Sequence, residues 1–156
     1  MSYWLDESTF RTVVNATPLV SIDLIVEDDQ GRVLLGRRVN RPASCFWFVP
    51  GGRIQKNERL DAAFVRLTQT ELGVEFQREQ AQFQGVYEHL YDDSVFGEGH
   101  LEGNPSTHYV VLAYRLKANA QALALPAEQH SHYCWWLVDD ALASPEVHSN
   151  TQAYLE

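Results

Sequence analysis

The alternation of apolar and polar residues predicts most of the strands of this chain. In LVSIDLIVE every second residue falls on one face, and RVLLGRR follows the turn DDQG as the second strand of a hairpin. Further strands are predicted in FWFVP, FQGVYEHLY and THYVVLAYRL, and an aromatic strand follows EQH. Asp23 lies on the opposite strand face from Ile22 and Leu24, where it is either exposed with a hydrogen bond or buried with a partner.

Helical spacing is clearest in the middle of the chain. Leu60, Phe64 and Leu67 recur on one face, Asn57 is the predicted N-cap and Gly73 the C-terminal stop. A proline and two glycines precede this helix. Because glycine lets the backbone approach a ligand closely or adopt a positive φ, a sharp glycine turn is predicted there.

The remaining elements complete an α+β pattern. Shorter helices are predicted in residues 4–17, in DDALAS and in EVHSNTQAYLE, and residues 92–106 form a long loop. Strands, one central helix, more strands and then helices indicate a mixed β-sheet flanked by α-helices. A length of 156 residues with 45% apolar residues suits one domain spanning residues 1–156.

Composition narrows the location and the partners. The chain carries 21 acidic and 12 basic residues, a net charge of −9, which disfavours nucleic acid as a partner. The N-terminus has neither a basic region nor a long apolar run, so we expect a cytoplasmic protein with no membrane partner. Cys45 and Cys134 form no metal or redox motif and are predicted to be small structural residues.

The charged residues of the central helix allow two interpretations. Charge alone favours a solvated helix face. Spacing favours a binding site, because five residues stand at the fixed intervals of the Nudix signature: Gly52, Glu58, Arg66, Glu71 and Gly73. Two acids of the common signature are replaced by Leu67 and Thr70, which leaves Glu71 as the one metal ligand expected from the helix.

The chain resembles the Nudix hydrolase superfamily, and within it the GDP-mannose mannosyl hydrolase branch. The resemblance rests on TPLVSIDLIVE, LLGRRVNRPA, WFVPGGRIQK, RLTQTELG, STHYVVL and LPAEQH, which extend over most of the chain. It implies a Nudix fold, an α/β/α sandwich, with the Nudix box at residues 52–74. It also implies a homodimer.

The same resemblance implies a metal site and a catalytic base. One Mg²⁺, with Mn²⁺ as an alternative ion, is expected on the carbonyl of Gly51, on Glu71 and on Gln129, all oxygen ligands of the kind that magnesium prefers. His130 matches the general base, and imidazole can accept a proton at neutral pH. His132, two residues further along, is the alternative base.

Further matching positions bind the substrate. Arg38 and Tyr109 are expected to stabilise the departing nucleoside diphosphate, and Arg53 to contact it. Asp23 and His89 match positions that bind the sugar or support catalysis. The positions matched at the nucleotide are Leu5 and Phe10, although Phe10 could equally be a core contact of the first helix. The Glu58–Arg66 pair is expected to orient the turn.

The implied reaction is hydrolysis of a nucleotide-sugar substrate, GDP-mannose or GDP-glucose, to GDP and free sugar. Water attacks the anomeric carbon with inversion, and metal and arginines stabilise the leaving group. Two alternatives remain: a conventional Nudix diphosphatase that attacks phosphorus, and a non-catalytic nucleotide-sugar-binding domain. Residues 92–106 are predicted to affect the choice of sugar.

Overall fold

A seven-stranded mixed sheet forms the centre of the computed structural model, which describes residues 4–98, 103–126 and 130–156. A separate two-stranded ribbon accompanies the sheet. The strands of the sheet are β1 (Leu19–Glu27), β2 (Arg32–Arg38), β3 (Trp47–Phe48), β4 (Gly51–Arg53), β5 (Gln82–Tyr91), β8 (Thr107–Lys117) and β9 (His130–Leu137), and those of the ribbon are β6 (Asp93–Ser94) and β7 (Gly97–Glu98).

Strand β1 occupies the middle of the sheet. It runs parallel to β8 and antiparallel to β2 and β4, while β9 pairs with β2 and β5 pairs with β8. Asp23 is opposite Ala113 on β8 and Gly51 on β4. A carboxylate is therefore held at the centre of the sheet, with backbone partners from distant parts of the chain.

Helices cover both faces of this sheet. They are α1 (Glu7–Ala16), α2 (Leu60–Leu72), α3 (Val138–Ala143) and α4 (Ser149–Gln152). Ile22 packs with Phe64 of α2 in one core cluster, whereas Ile25 packs with Ala141 and Tyr154 in the other. Burial of each large apolar side chain contributes about 1.5–3 kcal/mol. The predicted helix–sheet–helix sandwich is confirmed.

The approach to α2 differs from the prediction. Gly51 and Gly52 do not form a turn: they are part of β4 and pair with β1. Asn57 is not the N-cap, because α2 begins at Leu60 after Arg59, and Asn57 adopts a positive φ of 68° in the preceding turn. Gly73 ends the helix at φ 76°, as predicted.

Three other expectations need correction. The segment 92–106 is not a loop throughout, because it contains the β6–β7 ribbon, and residues 99–102 lie outside the described part of the chain. Cys45 and Cys134 are exposed thiols and not small core residues. The last predicted helix is confined to α4. Within the described ranges, no helix has the length and apolar composition of a membrane span.

Candidate active site

A cavity lies at the end of the sheet where β1, β4, β5 and β8 meet. Six of the predicted site residues line it together: Asp23, Arg38, Gly51, Arg53, His89 and Tyr109. The other lining residues are Ser21, Pro42, Phe48, Val49, Gly52 and Tyr91. The structure therefore brings together residues that are as far apart in sequence as Ser21 and Tyr109.

The close pairing of β1 and β4 explains the glycine at position 51. A Cβ added to Gly51 would lie 2.3 Å from Asp23 Oδ1 and 2.5 Å from the carbonyl oxygen of Ile22. Neither distance is sterically possible, so only glycine fits here without a shift of the backbone. The bare backbone of Gly51 consequently forms part of the cavity wall.

Glu71 lies behind the same wall, on the buried side of α2. Its side chain is only 1% exposed, and Oε1 has no hydrogen-bond partner among the described residues. The space that a Cβ on Gly52 would occupy is 3.9 Å from Oε1. Burial raises the pKa of Glu71 to about 7, against the opposing effect of the Arg38 guanidinium.

Two arginines supply positive charge to the cavity. Arg38 stands with its guanidinium carbon 5.7 Å from the centre of the Phe48 ring, and its Nε is buried without a partner in the described part of the chain. Arg53 lies 4.9 Å from the centre of the Phe10 ring. Guanidinium groups bind phosphate oxygens well, and the unused Nε of Arg38 is a donor available to an anion.

Asp23, Tyr154 and His89 form a hydrogen-bonded chain on the other side of the cavity. The Tyr154 hydroxyl is 2.6 Å from Asp23 Oδ2 and 3.2 Å from His89 Nε2. Burial raises the pKa of Asp23 to about 6, and it lowers the pKa of His89 to about 4. Burial also raises the pKa of Tyr109, which therefore remains a neutral hydroxyl donor in the wall.

The residues present fit the divalent ion that the resemblance implies. A buried carboxylate oxygen without a partner is costly, and a cation beside Glu71 would compensate that charge. Within the described residues, no three His, Cys, Asp or Glu side chains come together as a ligand cluster. Such an ion would accordingly depend on Glu71 together with backbone and amide oxygens.

Glu58 and Arg66 form the expected pair. Arg66 Nε is 2.6 Å from Glu58 Oε2 and its Nη2 is 2.9 Å from Oε1. The same Nη2 donates to the carbonyl of Arg53 at 2.9 Å, and Glu58 Oε1 accepts from the N–H of Gln55 at 3.0 Å. These contacts confirm the predicted pair and join β4 to α2. That the pair serves orientation rather than chemistry stays a prediction.

The remaining predicted residues do not line the cavity, and among their described side chains only Phe10 contacts a lining residue. Leu5 is exposed, and Phe10 is half-buried, where it contacts Arg53 and lies 5.9 Å from the Phe96 ring. The backbone of His130 begins β9 opposite Arg38, whereas its side chain and the whole of Gln129 lie outside the described residues. His132, the alternative base, is exposed.

Sequence reasoning missed two contributors near the cavity. Tyr154 reaches Asp23 from the C-terminal segment, and His148 stacks on Phe48 with ring centres 4.7 Å apart. His148 also caps α4, since its Nδ1 accepts from the N–H of Asn150 at 3.1 Å. A histidine just before a short polar helix and a tyrosine just after it carry no periodic signal, and only the fold brings them to the cavity.

Comparisons with known proteins agree with this architecture. A family model described as NUDIX domain matches residues 17–155. The low-salt glycan biosynthesis protein Agl8 of Haloferax volcanii is 39% identical over 127 residues, which are 81% of this chain and 76% of that protein.

Solved structures show the same fold. A MutT NUDIX hydrolase from Burkholderia pseudomallei aligns with a TM-score of 0.69 at 24% identity, over 89% of this chain and 96% of its own. The NUDIX domain of Shewanella oneidensis NrtR, solved in complex with ADP ribose, aligns with a TM-score of 0.63 at 20% identity, over 96% and 95%. The Nudix fold predicted from the sequence is confirmed.

Proposed function

This chain belongs to the NUDIX domain family, and from that premise we propose that it is a Nudix hydrolase that splits a GDP-sugar, GDP-mannose or GDP-glucose, into GDP and free sugar. Water attacks the anomeric carbon with inversion. The oxygen of water forms the new bond to that carbon, the bond from carbon to the diphosphate oxygen breaks, and GDP leaves with the electron pair.

The observation that carries this proposal is that α2 places a single carboxylate, that of Glu71, behind the cavity wall beside Gly52. Oε1 of Glu71 is buried with no hydrogen-bond partner among the described residues, whereas Leu67 is 2% exposed in the core and Thr70 faces solvent. Ordinary Nudix enzymes hold several ions with helix acids at these positions. A helix with one acid suits stabilisation of a leaving diphosphate and places the proton chemistry elsewhere.

Arginines and a tyrosine of the wall support the departure of GDP. Arg38 offers an Nε donor with no partner among the described residues, Arg53 adds a second guanidinium, and Tyr109 adds a neutral hydroxyl. Donors that are already fixed in place stabilise charge as it develops on the leaving oxygens. Leu5 and Phe10 are the proposed contacts of the nucleotide, and the contact between Phe10 and Arg53 supports this for Phe10.

His130 is the proposed general base, and it takes the proton released by the attacking water. Support comes from the register of β9, which pairs the His130 backbone with cavity-lining Arg38. Asp23 and His89, in the wall opposite α2, are proposed to hold the sugar or to support catalysis there.

Glu71, the carbonyl of Gly51 and Gln129 are the proposed ligands of one Mg²⁺, for which Mn²⁺ could substitute. When bound, such an ion neutralises negative charge on the diphosphate. The orphaned oxygen of Glu71 and the bare backbone of Gly51 in the wall support this set.

The sugar class has independent support from a relative. Agl8 is named for glycan biosynthesis, which fits chemistry on an activated sugar.

We also propose a homodimer in the cytoplasm. The edge strand β5 presents apolar side chains, with Val86 59% and Leu90 68% exposed, which would suit a second copy.

Hydrolysis in ¹⁸O-labelled water tests the reaction. We expect the label in the free sugar and unlabelled GDP, as carbon attack requires. Label in GMP or in a sugar phosphate would establish attack at phosphorus, the conventional Nudix reaction. Binding of GDP-mannose without turnover in the presence of Mg²⁺ would instead identify a binding domain.

A further inference from the structure

We propose that Tyr154 is a positioning residue that fixes the tautomer of His89, so that His89 accepts a hydrogen bond from a hydroxyl of the bound sugar. The choice of a sugar as the ligand rests on the function proposed above. The tautomer of His89 follows from residues of this chain alone. Experiments can therefore test the tautomer and the identity of the ligand separately.

The geometry of the Tyr154 hydroxyl is the starting point. The side chain is fully buried at 0% exposure, and its oxygen lies 2.6 Å from Asp23 Oδ2 and 3.2 Å from His89 Nε2. A phenol has one proton and can donate only once, although its oxygen can also accept. One of the two neighbours must therefore receive the proton and the other must donate.

The two distances decide which neighbour receives the proton. A separation of 2.6 Å is typical of a hydroxyl that donates to a carboxylate, so Tyr154 donates to Asp23. Burial beside that carboxylate raises the pKa of Tyr154, which keeps the phenol protonated. The Tyr154 oxygen is then an acceptor, and His89 Nε2 must carry the hydrogen that it receives.

This assignment leaves Nδ1 of His89 as an acceptor. Burial lowers the pKa of His89 to about 4, so the ring is neutral at pH 7 and has one N–H and one bare nitrogen. His89 lines the cavity. We assign the bare nitrogen to the cavity side of the ring, where it would accept from a hydroxyl but would have nothing to offer an ionised phosphate oxygen, which cannot donate. The tautomer thus makes this part of the wall selective for a sugar.

Tyr154 is held in place by more than its hydroxyl. Its carbonyl oxygen accepts from Gln84 Nε2 at 3.0 Å and from Arg115 Nη2 at 2.8 Å, and its ring meets the Tyr87 ring edge-on at 4.7 Å between centres. Replacement by phenylalanine therefore removes the hydrogen bonds to Asp23 and His89 and leaves the anchoring contacts in place.

Nitrogen NMR of the histidine ring tests the tautomer directly. In the wild-type protein we expect ¹⁵N shifts of His89 that report a single Nε2–H tautomer, with the signals assigned by their loss in His89→Asn. In Tyr154→Phe we expect a mixture of tautomers. Tyr87→Phe is the matched control, because the Tyr87 hydroxyl accepts from Gln84 Nε2 at 2.9 Å and lies outside the cavity wall.

Kinetics of the same variants test the consequence for substrate. Tyr154→Phe should lower kcat/KM for GDP-mannose about tenfold, chiefly through KM, because the tautomer that accepts from the sugar should fall to about a tenth of the population and the apparent affinity falls with it. The Kd for GDP with Mg²⁺ should stay within about twofold, and Tyr87→Phe should change neither quantity.

Each outcome has a clear meaning. An Nδ1–H tautomer in the wild-type spectrum would overturn the inference, and that spectrum decides the point even if Tyr154→Phe does not fold. An equal loss of GDP affinity and of kcat/KM in Tyr154→Phe would show a merely structural role. If the ¹⁸O experiment finds attack at phosphorus while the Nε2–H tautomer is observed, the proposed reaction fails and the positioning by Tyr154 stands.

Discussion

Glu58 and Glu71 belong to the same signature, but their carboxylates have different surroundings. Glu58 receives two hydrogen bonds from Arg66 and one from the backbone of Gln55, and the Arg66 bond is the main reason that its pKa is lowered. Glu71 is buried with an orphaned Oε1, and burial raises its pKa to about 7.

The difference separates a structural acid from a binding acid. The chain itself supplies every partner of Glu58, so that carboxylate is already satisfied in the folded protein. Glu71 is kept out of water, and the charge of Arg38 opposes the effect of burial only in part. A cation beside the carboxylate would stabilise its charge further. Both residues are glutamates at fixed positions of the signature, so residue type and position do not distinguish them. The groups that surround each carboxylate decide whether it is structural or binds a ligand.

The largest effect should follow removal of the Glu71 charge. Glu71→Gln keeps the size of the side chain but removes the negative ligand, and we expect kcat/KM to fall about a hundredfold or more in Mg²⁺. The thermal midpoint of the metal-free variant should be unchanged or higher, because a buried charge is gone. Steady-state kinetics over a range of Mg²⁺ concentrations check this. If Glu71→Gln kept wild-type activity, Glu71 would not be a binding acid, and the proposed difference between Glu71 and Glu58 would be wrong.

The pH dependence of stability should expose the same charge. The folded protein holds the Glu71 proton up to a pH of about 7, whereas the unfolded chain releases it near 4.5, so stability falls as pH rises between these values. The loss should reach at most about 3 kcal/mol. Urea unfolding with a chelator at pH 5 and pH 8 measures it. The difference between wild type and Glu71→Gln isolates Glu71 from the shifts of Asp23 and His89, and equal slopes for the two proteins would contradict the assignment.

Glu58→Gln should lower the free energy of unfolding more clearly than it lowers kcat. It removes one charge of a mostly buried bidentate pair, so we expect a loss of about 1–2 kcal/mol in the free energy of unfolding. Urea denaturation gives that value, and kcat should fall far less than in Glu71→Gln. A loss of kcat as large as that of Glu71→Gln at unchanged stability would make Glu58 a binding acid too.

The smallest effect is expected from restoring an acid at position 70. Thr70 faces solvent on α2, so Thr70→Glu should change kcat/KM less than about twofold and leave the products unchanged. Separation of GDP from GMP by chromatography is the measurement. Appearance of GMP would show that one helix acid is enough to redirect attack to phosphorus.

The sequence predicted the parts of the site that depend on local spacing. Helical periodicity and Gly73 located α2, and the intervals from Gly52 to Glu71 identified the acids, because a helix fixes which residues share a face. The alternation in β1 predicts Asp23 on the opposite face from Ile22, and its partner Tyr154 indeed belongs to the other core cluster. These features need no information from distant residues.

Features that depend on long-range packing could not be predicted. The Asp23–Tyr154 contact joins residues 131 positions apart and exists only because the C-terminal segment covers one face of the sheet. Two adjacent glycines at positions 51 and 52 predict a turn, because their composition alone suits a turn and a close strand approach equally well. The structure gives a separate reason for each: β1 approaches Gly51 at Asp23, and the Leu67 side chain of α2 fills the space beside Gly52.

The parallel pairing of β1 with β8 has a consequence for folding kinetics. Strands β1 and β2 are paired at a single position, Glu27 with Val33. The central strand therefore gains little stabilisation from pairing with the next strand in sequence. Its nine-residue match is with β8, and closing the chain between Glu27 and Thr107 costs about 4 kcal/mol of entropy. Most of the pairing of the apolar strand β1 therefore depends on a strand that is distant in sequence. We expect folding to be slow, and the chain to be prone to aggregation until β1 pairs with β8.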